Sequence, residues 1–411
     1  MATIVFVLDK YYPHSDANTT CAQNVISVLK EKGHKIICLC GAEKPQPPRY
    51  EGTVQVRTVL HRSFEARYSK KKTRVGRFVA RWAHFFCSLF LLSSFPNTEP
   101  RYSRRLAKEL GEVCKEEKVD CVVGVFRPFA AIQAMLLHKK KKNAVDIKYI
   151  GYYLDVLKGA TKPFGIPKAL YERLCNRCER KVFLSLDRVL MAENGRRYYD
   201  VATDAALAGK FTFVNFPSLV LRETAQEHTT TKKRTFVYAG YMDRGYRNPS
   251  ALIETFQQIY RECADIELHL YGKSNMDEEL VEYQKRCSAF LFWHGLVAPE
   301  AARSALENAD CVVSMGNDIE GIVPSKIFEL MGLKKPILHF SPSVADGAVA
   351  YVARYPDHCI LQKDQGIEAM AKELLEFCQR PIVDISTEML RTEYKSATPE
   401  ATAEIITSII K

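Results

Sequence analysis

Short β-rich runs alternate with helical patterns along nearly all of the 411 residues, and this alternation constrains the fold more than any other feature. In the first half the runs read as strands over Thr3–Leu8, Lys35–Cys40, Gln55–Leu60, Asp120–Val125, Asp146–Tyr152, Arg188–Ala192 and Phe211–Asn215. In the second half they read over Thr235–Tyr238, Glu267–Tyr271, Phe290–Trp293, Cys311–Met315, Ile337–Phe340 and Cys359–Leu361. Helical stretches such as Ala17–Glu31, closed by Gly33, and Ser103–Glu117 separate them. Strands joined by crossover helices predict parallel, doubly wound sheets. A chain of this length exceeds one ordinary core, so the α/β pattern predicts two Rossmann-like domains. Phe216-Pro217-Ser218 leads into the polar run Arg222–Arg234, which places the boundary after residue 216. The expected units are 1–216 and 217–385, with a helical segment 386–411 packing back on the first. Open α/β sheets bind ligands beyond the carboxyl ends of their strands at the topological switch point, so the halves are expected to face each other across a cleft.

Charge is unevenly spread over a chain whose formal net charge is +11. Residues 62–105 hold eleven Lys or Arg against two Glu, a net +9, and Lys139–Lys142 adds a second basic run. An anionic partner for the N-terminal half follows: a membrane surface, an anionic lipid-linked substrate or nucleic acid. Within the basic span, Val75–Phe95 sets Arg77 and Arg81 among Trp82 and other aromatic and aliphatic residues, behind Lys70, Lys71 and Lys72. It is short of the ~20 largely apolar residues of a spanning helix. Two readings stand, an interfacial helix with a basic skirt or a core helix under the first sheet. The 13 cysteines show no paired metal-ligand spacing; Cys175-Asn-Arg-Cys178 comes nearest and lies in a helical pattern without a second pair. Unpatterned cysteines point to a reducing cytoplasm, and the first strand lacks the basic flank and cleavage site of a signal peptide.

The chemistry concentrates in residues 321–338. Strand Cys311–Met315 runs through a polar loop into a helix expected to open at Pro324, where a missing N–H costs nothing. Ile327, Phe328, Leu330 and Met331 can face a core, leaving Glu329 outside, one turn into the helix. Such a helix mouth offers N–H groups and partial positive charge to a phosphate, and a carboxylate there can take both ribose hydroxyls. Companions follow other strands. Gly240 ends one, with Arg244 and Arg247 in the next loop; Gly272 ends another; His294-Gly295-Leu296-Val297 follows a third. Glycine admits a ligand close to backbone, and guanidinium forks match phosphate oxygens. Each feature alone is also ordinary turn chemistry, and Lys326 with Glu329 also reads as an exposed helix pair. Together they describe a nucleotide-diphosphate site.

In this order, Tyr-Ala-Gly…Arg-Asn-Pro, Leu-Tyr-Gly, His-Gly-Leu-Val, Ala-Asp-Cys-Val-Val-Ser and Val-Pro-Ser-Lys-Ile-Phe-Glu…Lys-Lys-Pro-Ile-Leu, the chain resembles the GT-B-fold glycosyltransferases. Within these it is similar to family 4-like enzymes of bacterial surface-polysaccharide assembly (capsule, exopolysaccharide or O-antigen). The resemblance implies a metal-independent, hexosyltransferase-like enzyme that transfers with retention and takes a nucleotide-diphospho-sugar as substrate, with no further cofactor. It gives Glu329 the donor ribose, Arg247 and Lys326 the diphosphate, backbone near Pro324 and Ser325 the phosphates, and Leu296–Val297 the base. Positive side chains and a helix dipole would then stabilise the leaving diphosphate. The chain departs from the family pattern in two places. Relatives often carry a glutamate where Gly321 stands, with Glu320 here one residue early. The loop after the first strand, glycine-rich in relatives, is polar here, with Asn18 the residue expected to approach diphosphate or acceptor. Asp155 occupies the region where relatives place a histidine on the donor sugar; it is read as catalytic or as a cap of its own loop.

The expected partners are the donor, a lipid-linked saccharide acceptor on the basic N-terminal domain, and the inner membrane face, with no nucleic acid. A nucleotide-sugar epimerase on the same fold is the rival enzyme, although it needs no acceptor surface. A basic nucleic-acid-binding protein would leave the phosphate loops unexplained.

Overall fold

The computed structural model describes residues 1–11, 16–61, 95–97, 99–141, 146–157, 167–199, 204–221, 233–317 and 322–411. They form two compact units, Met1–Pro217 with Pro399–Lys411, and Ser218–Thr398.

The first unit is built on strands β1 (Thr3–Val7), β2 (Lys35–Ala42), β3 (Arg49–Glu51), β4 (Val54–Leu60), β5 (Cys121–Phe126), β6 (Lys148–Tyr153), β7 (Arg188–Ala192) and β8 (Phe211–Val214). Their order is β3-β4-β2-β1-β5-β6-β7-β8, with the switch point between β1 and β5. Among the described residues of this sheet only the β3–β4 pair is antiparallel. All six residues of β5, Cys-Val-Val-Gly-Val-Phe, are buried, as a parallel strand covered on both faces requires. Alternation along β1 sends Ile4, Phe6 and Leu8 to one face, where they meet Ala22, Val25 and Ile26 of helix Ala17–Glu31. Val5 and Val7 go to the other, against Leu106 and Leu110 of helix Pro100–Glu116 and Ile132 of helix Phe129–Lys139. Strand β3 escapes the sequence reading because Arg-Tyr-Glu has no apolar period; its place is set by the return at Gly52, whose φ is +62°.

The second unit holds β9 (Arg234–Ala239), β10 (Ile266–Tyr271), β11 (Leu291–Gly295), β12 (Cys311–Met315), β13 (Ile337–Ser341) and β14 (His358–Gln362). The order β11-β10-β9-β12-β13-β14 is parallel throughout and switches between β9 and β12. Asp310 ties the two middle strands at their start: its Oδ2 accepts from the Thr235 N–H and Oγ1, each at 2.8 Å. Phe236, Leu268, Val313 and Leu338 join Phe256 and Phe377, from helices Ser250–Ile259 and Ile367–Gln379, in one core.

The C-terminal stretch divides at Thr398. Helix Thr387–Glu393, capped by Ser386, belongs to the second unit. Helix Pro399–Ile410 returns to the first, where Ala403 and Ile406 are fully buried beside helix Ala17–Glu31. Among the described residues no helix is long and apolar enough to cross a membrane.

Candidate active site

In the second unit three loops at the carboxyl edge are laced together through their backbones. The Gly240 N–H donates to the Tyr271 carbonyl at 2.9 Å, and the Gly272 N–H to the Gly295 carbonyl at 2.8 Å. Gly272 has φ +136°, and a Cβ there would lie 1.9 Å from the Gly240 carbonyl oxygen. No other residue fits that crossing. The edge opens into a cavity of about 370 Å³ lined by Gly240, Gly272, Leu296, Val297, Lys326 and Glu329, together with Tyr241, Tyr271, Lys273 and Arg303. Its walls combine backbone, a tyrosine pair, three cations and one carboxylate. Tyr271 is stacked on His294 with centroids 4.1 Å apart. Burial and the neighbouring His269 hold the His294 imidazole below its ordinary pKa.

The helix at this edge starts later than expected. Its first turn is wound as a 3-10 turn, since Ile327 N–H reaches the Pro324 carbonyl at 3.2 Å and Phe328 N–H that of Ser325 at 3.3 Å. The α-helix therefore spans Lys326–Met331, with Pro324 and Ser325 ahead of it rather than inside it. Lys334, at φ 54°, closes the turns that follow. Ile327, Phe328, Leu330 and Met331 are buried, and Glu329 faces out with Lys326 Nζ 3.5 Å from its Oε2. That pair is an exposed i,i+3 contact, and both members also line the cavity.

The two loop arginines part company. Arg244 pairs with Glu279, and its N–H donates to Asn275 at 3.0 Å; neither it nor Arg247 is among the cavity-lining residues. Helix Asp277–Arg286 sets Glu279 opposite the loop and so supplies the exposed partner of Arg244. Arg247 is held at the switch point, its Nε donating to Asn317 Oδ1 at 2.7 Å.

In the first unit, Asn18 and Asp155 are brought together: Asn18 Nδ2 donates to Asp155 Oδ2 at 3.3 Å. Arg127 joins them, its Nε 3.9 Å from the same oxygen. The three follow β1, β5 and β6, neighbours at the switch point. Further along that edge His61 stands between two carboxylates, Nε2 2.9 Å from Glu99 and Nδ1 3.5 Å from Asp9, with its ring stacked on Tyr102 at 3.9 Å. Burial pushes the Asp9 carboxyl up, and His61 opposes that shift. The sequence reading passes over Arg127, Asp9, His61, Glu99 and Asn317. Arg127 was findable, since it sits directly between a buried strand and the proline before a helix. Lys70, Lys71, Lys72, Arg77, Arg81 and Trp82 lie outside the described residues, as do Glu320 and Gly321. Among the described residues no group of three or more His, Cys, Asp or Glu could hold a metal ion.

With this geometry in place, residues 233–380 match the family model for glycosyl transferases group 1. The second unit carries a group 1 glycosyltransferase domain. Solved structures align over the whole chain. WaaG, a glycosyltransferase involved in lipopolysaccharide biosynthesis, has a TM-score of 0.54 at 12% identity, covering 98% of this chain and 99% of its own. A structure described as trehalose-6-phosphate from E. coli, bound with UDP-2-fluoro glucose, reaches 0.64 at 9% identity, covering 100% and 99%. TarM of S. aureus, solved with UDP among its ligands, gives 0.58 at 11% identity over 100% of both chains. No curated protein matches the sequence. At these identities the likeness is one of fold, and the fold is GT-B. The group 1 domain marks the chain as a glycosyltransferase.

Proposed function

We propose that this chain moves a sugar from a nucleotide-diphospho-sugar to an acceptor hydroxyl, holding the donor in its second unit. The observation that carries this is the cavity in which Gly240, Gly272, Lys326 and Glu329 converge within the group 1 domain. Backbone exposed at the glycines admits a flat or charged ligand closely. Glu329, half exposed beside Lys326, is free to turn both oxygens to a ribose diol. Lys326, with Arg247 at the switch point, supplies the positive charge that a departing diphosphate needs, so the reaction runs without a metal ion. Tyr271 and exposed Leu296 provide an apolar wall for the base.

Transfer with retention, in assembly of a bacterial surface polysaccharide, is the finer reading; the involvement of the structural neighbour WaaG in lipopolysaccharide biosynthesis supports the polysaccharide part of it, and retention rests on the family resemblance alone. The Asn18–Arg127–Asp155 group is the corresponding candidate for acceptor and reacting sugar in the first unit. The basic span 62–105 supports a lipid-linked acceptor and contact with an anionic membrane face. Incubation with a panel of nucleotide sugars and a prenyl-linked saccharide as acceptor, followed by NMR, tests the reading. Nucleotide diphosphate released with a product of unchanged anomeric configuration is expected, in the presence of EDTA as in its absence. An epimerised nucleotide sugar with no transfer would overturn it.

A further inference from the structure

Arg247 is placed by a chain of contacts that begins deep behind the switch point. His339 on β13 and Asp346 are both fully buried side chains, with His339 Nε2 2.9 Å from Asp346 Oδ2. The other oxygen, Oδ1, accepts the Ala348 N–H at 3.0 Å, so the carboxylate is fixed at both ends. Against it packs Gly316, directly after β12: a Cβ there would lie 1.7 Å from Asp346 Oδ2. Only a residue without a side chain brings the backbone this close. The Gly316 N–H bonds the Phe340 carbonyl at 2.9 Å, which keeps the strand pairing going one residue past β12. Asn317 follows, only 6% exposed, and its Oδ1 accepts from Arg247 Nε at 2.7 Å. Holding Nε sets the plane of the guanidinium, and with it the direction of its two Nη nitrogens, the fork that matches a pair of phosphate oxygens.

We infer that Asn317 is the positioning residue for Arg247, aiming the guanidinium at the donor diphosphate from a loop whose path is set by Gly316 packed on the buried Asp346–His339 pair. This rests on the donor-binding reading above. An arginine on a free loop gives up rotamer entropy each time it engages a ligand; one whose Nε is already bonded to a buried amide gives up less. Asn317 touches no substrate and acts through Arg247 alone.

That dependence makes the test a double-mutant cycle. Calorimetric titration with UDP and GDP compares the wild type, Asn317→Ala, Arg247→Lys and the double variant. Lysine keeps a charge, so binding stays measurable, but it lacks Nε and the fork. Asn317→Ala is expected to weaken the nucleotide that binds by about tenfold, the scale of one charge-assisted hydrogen bond. In the Arg247→Lys background the same substitution is expected to change nothing. Asn317→Ser, which keeps a polar group but is too short to reach Nε, is expected to repeat the pattern and serves if Asn317→Ala does not fold. Equal losses in both backgrounds, or no loss with Arg247 present, would overturn the positioning role while leaving donor binding intact. A wild type that binds neither nucleotide would remove the donor reading and this inference with it.

Discussion

Glu329 shows how much one side chain's role depends on its helix. Its four neighbours on the turn are buried, so the helix is anchored without it, and its contact with Lys326 is an exposed one worth little to stability. Glu329→Ala should therefore leave the melting temperature nearly unchanged and cut nucleotide affinity by about 10–100-fold, the loss of a charged acceptor to two hydroxyls. His138 behaves in the opposite way. It is buried against Tyr149, Nδ1 2.8 Å from the hydroxyl, and burial, helped by Lys141, lowers its pKa from the ordinary 6.5. The native state then binds fewer protons than the unfolded chain, so stability rises with pH and is lost as pH falls through about 6.5. His138→Gln, which keeps a partner for Tyr149 and cannot titrate, should flatten the decline in urea midpoint between pH 7 and pH 5. A slope unchanged by the substitution would refute that assignment.

At the scale of elements, strands are legible wherever burial imposes a continuous apolar run: Arg188–Ala192 and Cys311–Met315 appear with the bounds read from the sequence. The three polar residues of β3 give no such signal, because pairing with β4, not composition, makes them a strand. The donor edge is legible through its glycines. What makes Gly272 indispensable, a carbonyl oxygen from another loop 1.9 Å from where its Cβ would sit, is a tertiary fact. Gly272→Ala combines that clash with a left-handed φ and should destabilise the second unit by about 1–3 kcal/mol, and it should lose nucleotide binding as well. The start of the Lys326–Met331 helix differs from the sequence reading by two residues because proline suits a 3-10 turn as well as an α-helical one. The contact of Arg244 with Glu279 is not legible in the sequence, because the two lie 35 positions apart, one in a loop and the other on a helix.

At the scale of the whole molecule, the second unit spans Ser218–Thr398 without interruption, whereas the first is completed by the last residues of the chain. Ile406 is fully buried on that returning helix, and Ile406→Ala should cost the first unit about 2–5 kcal/mol while leaving the second unit's unfolding in place. Two transitions by calorimetry, with only one displaced, would bear this out. The alternation of strand and helix points to two α/β units, but nothing in sequence spacing could show Asn18, Arg127 and Asp155 meeting, because strand order alone brings β1, β5 and β6 side by side. If the Gly240–Gly272–Glu329 cavity holds a nucleotide-diphospho-sugar, nucleoside diphosphates or their sugars should raise the melting temperature in a thermal-shift series. Stabilisation by one UDP- or GDP-sugar, strongly reduced in Glu329→Ala at equal ligand concentration, is the predicted result. A melt that no nucleotide moves, or a shift unchanged by the loss of Glu329, would contradict it.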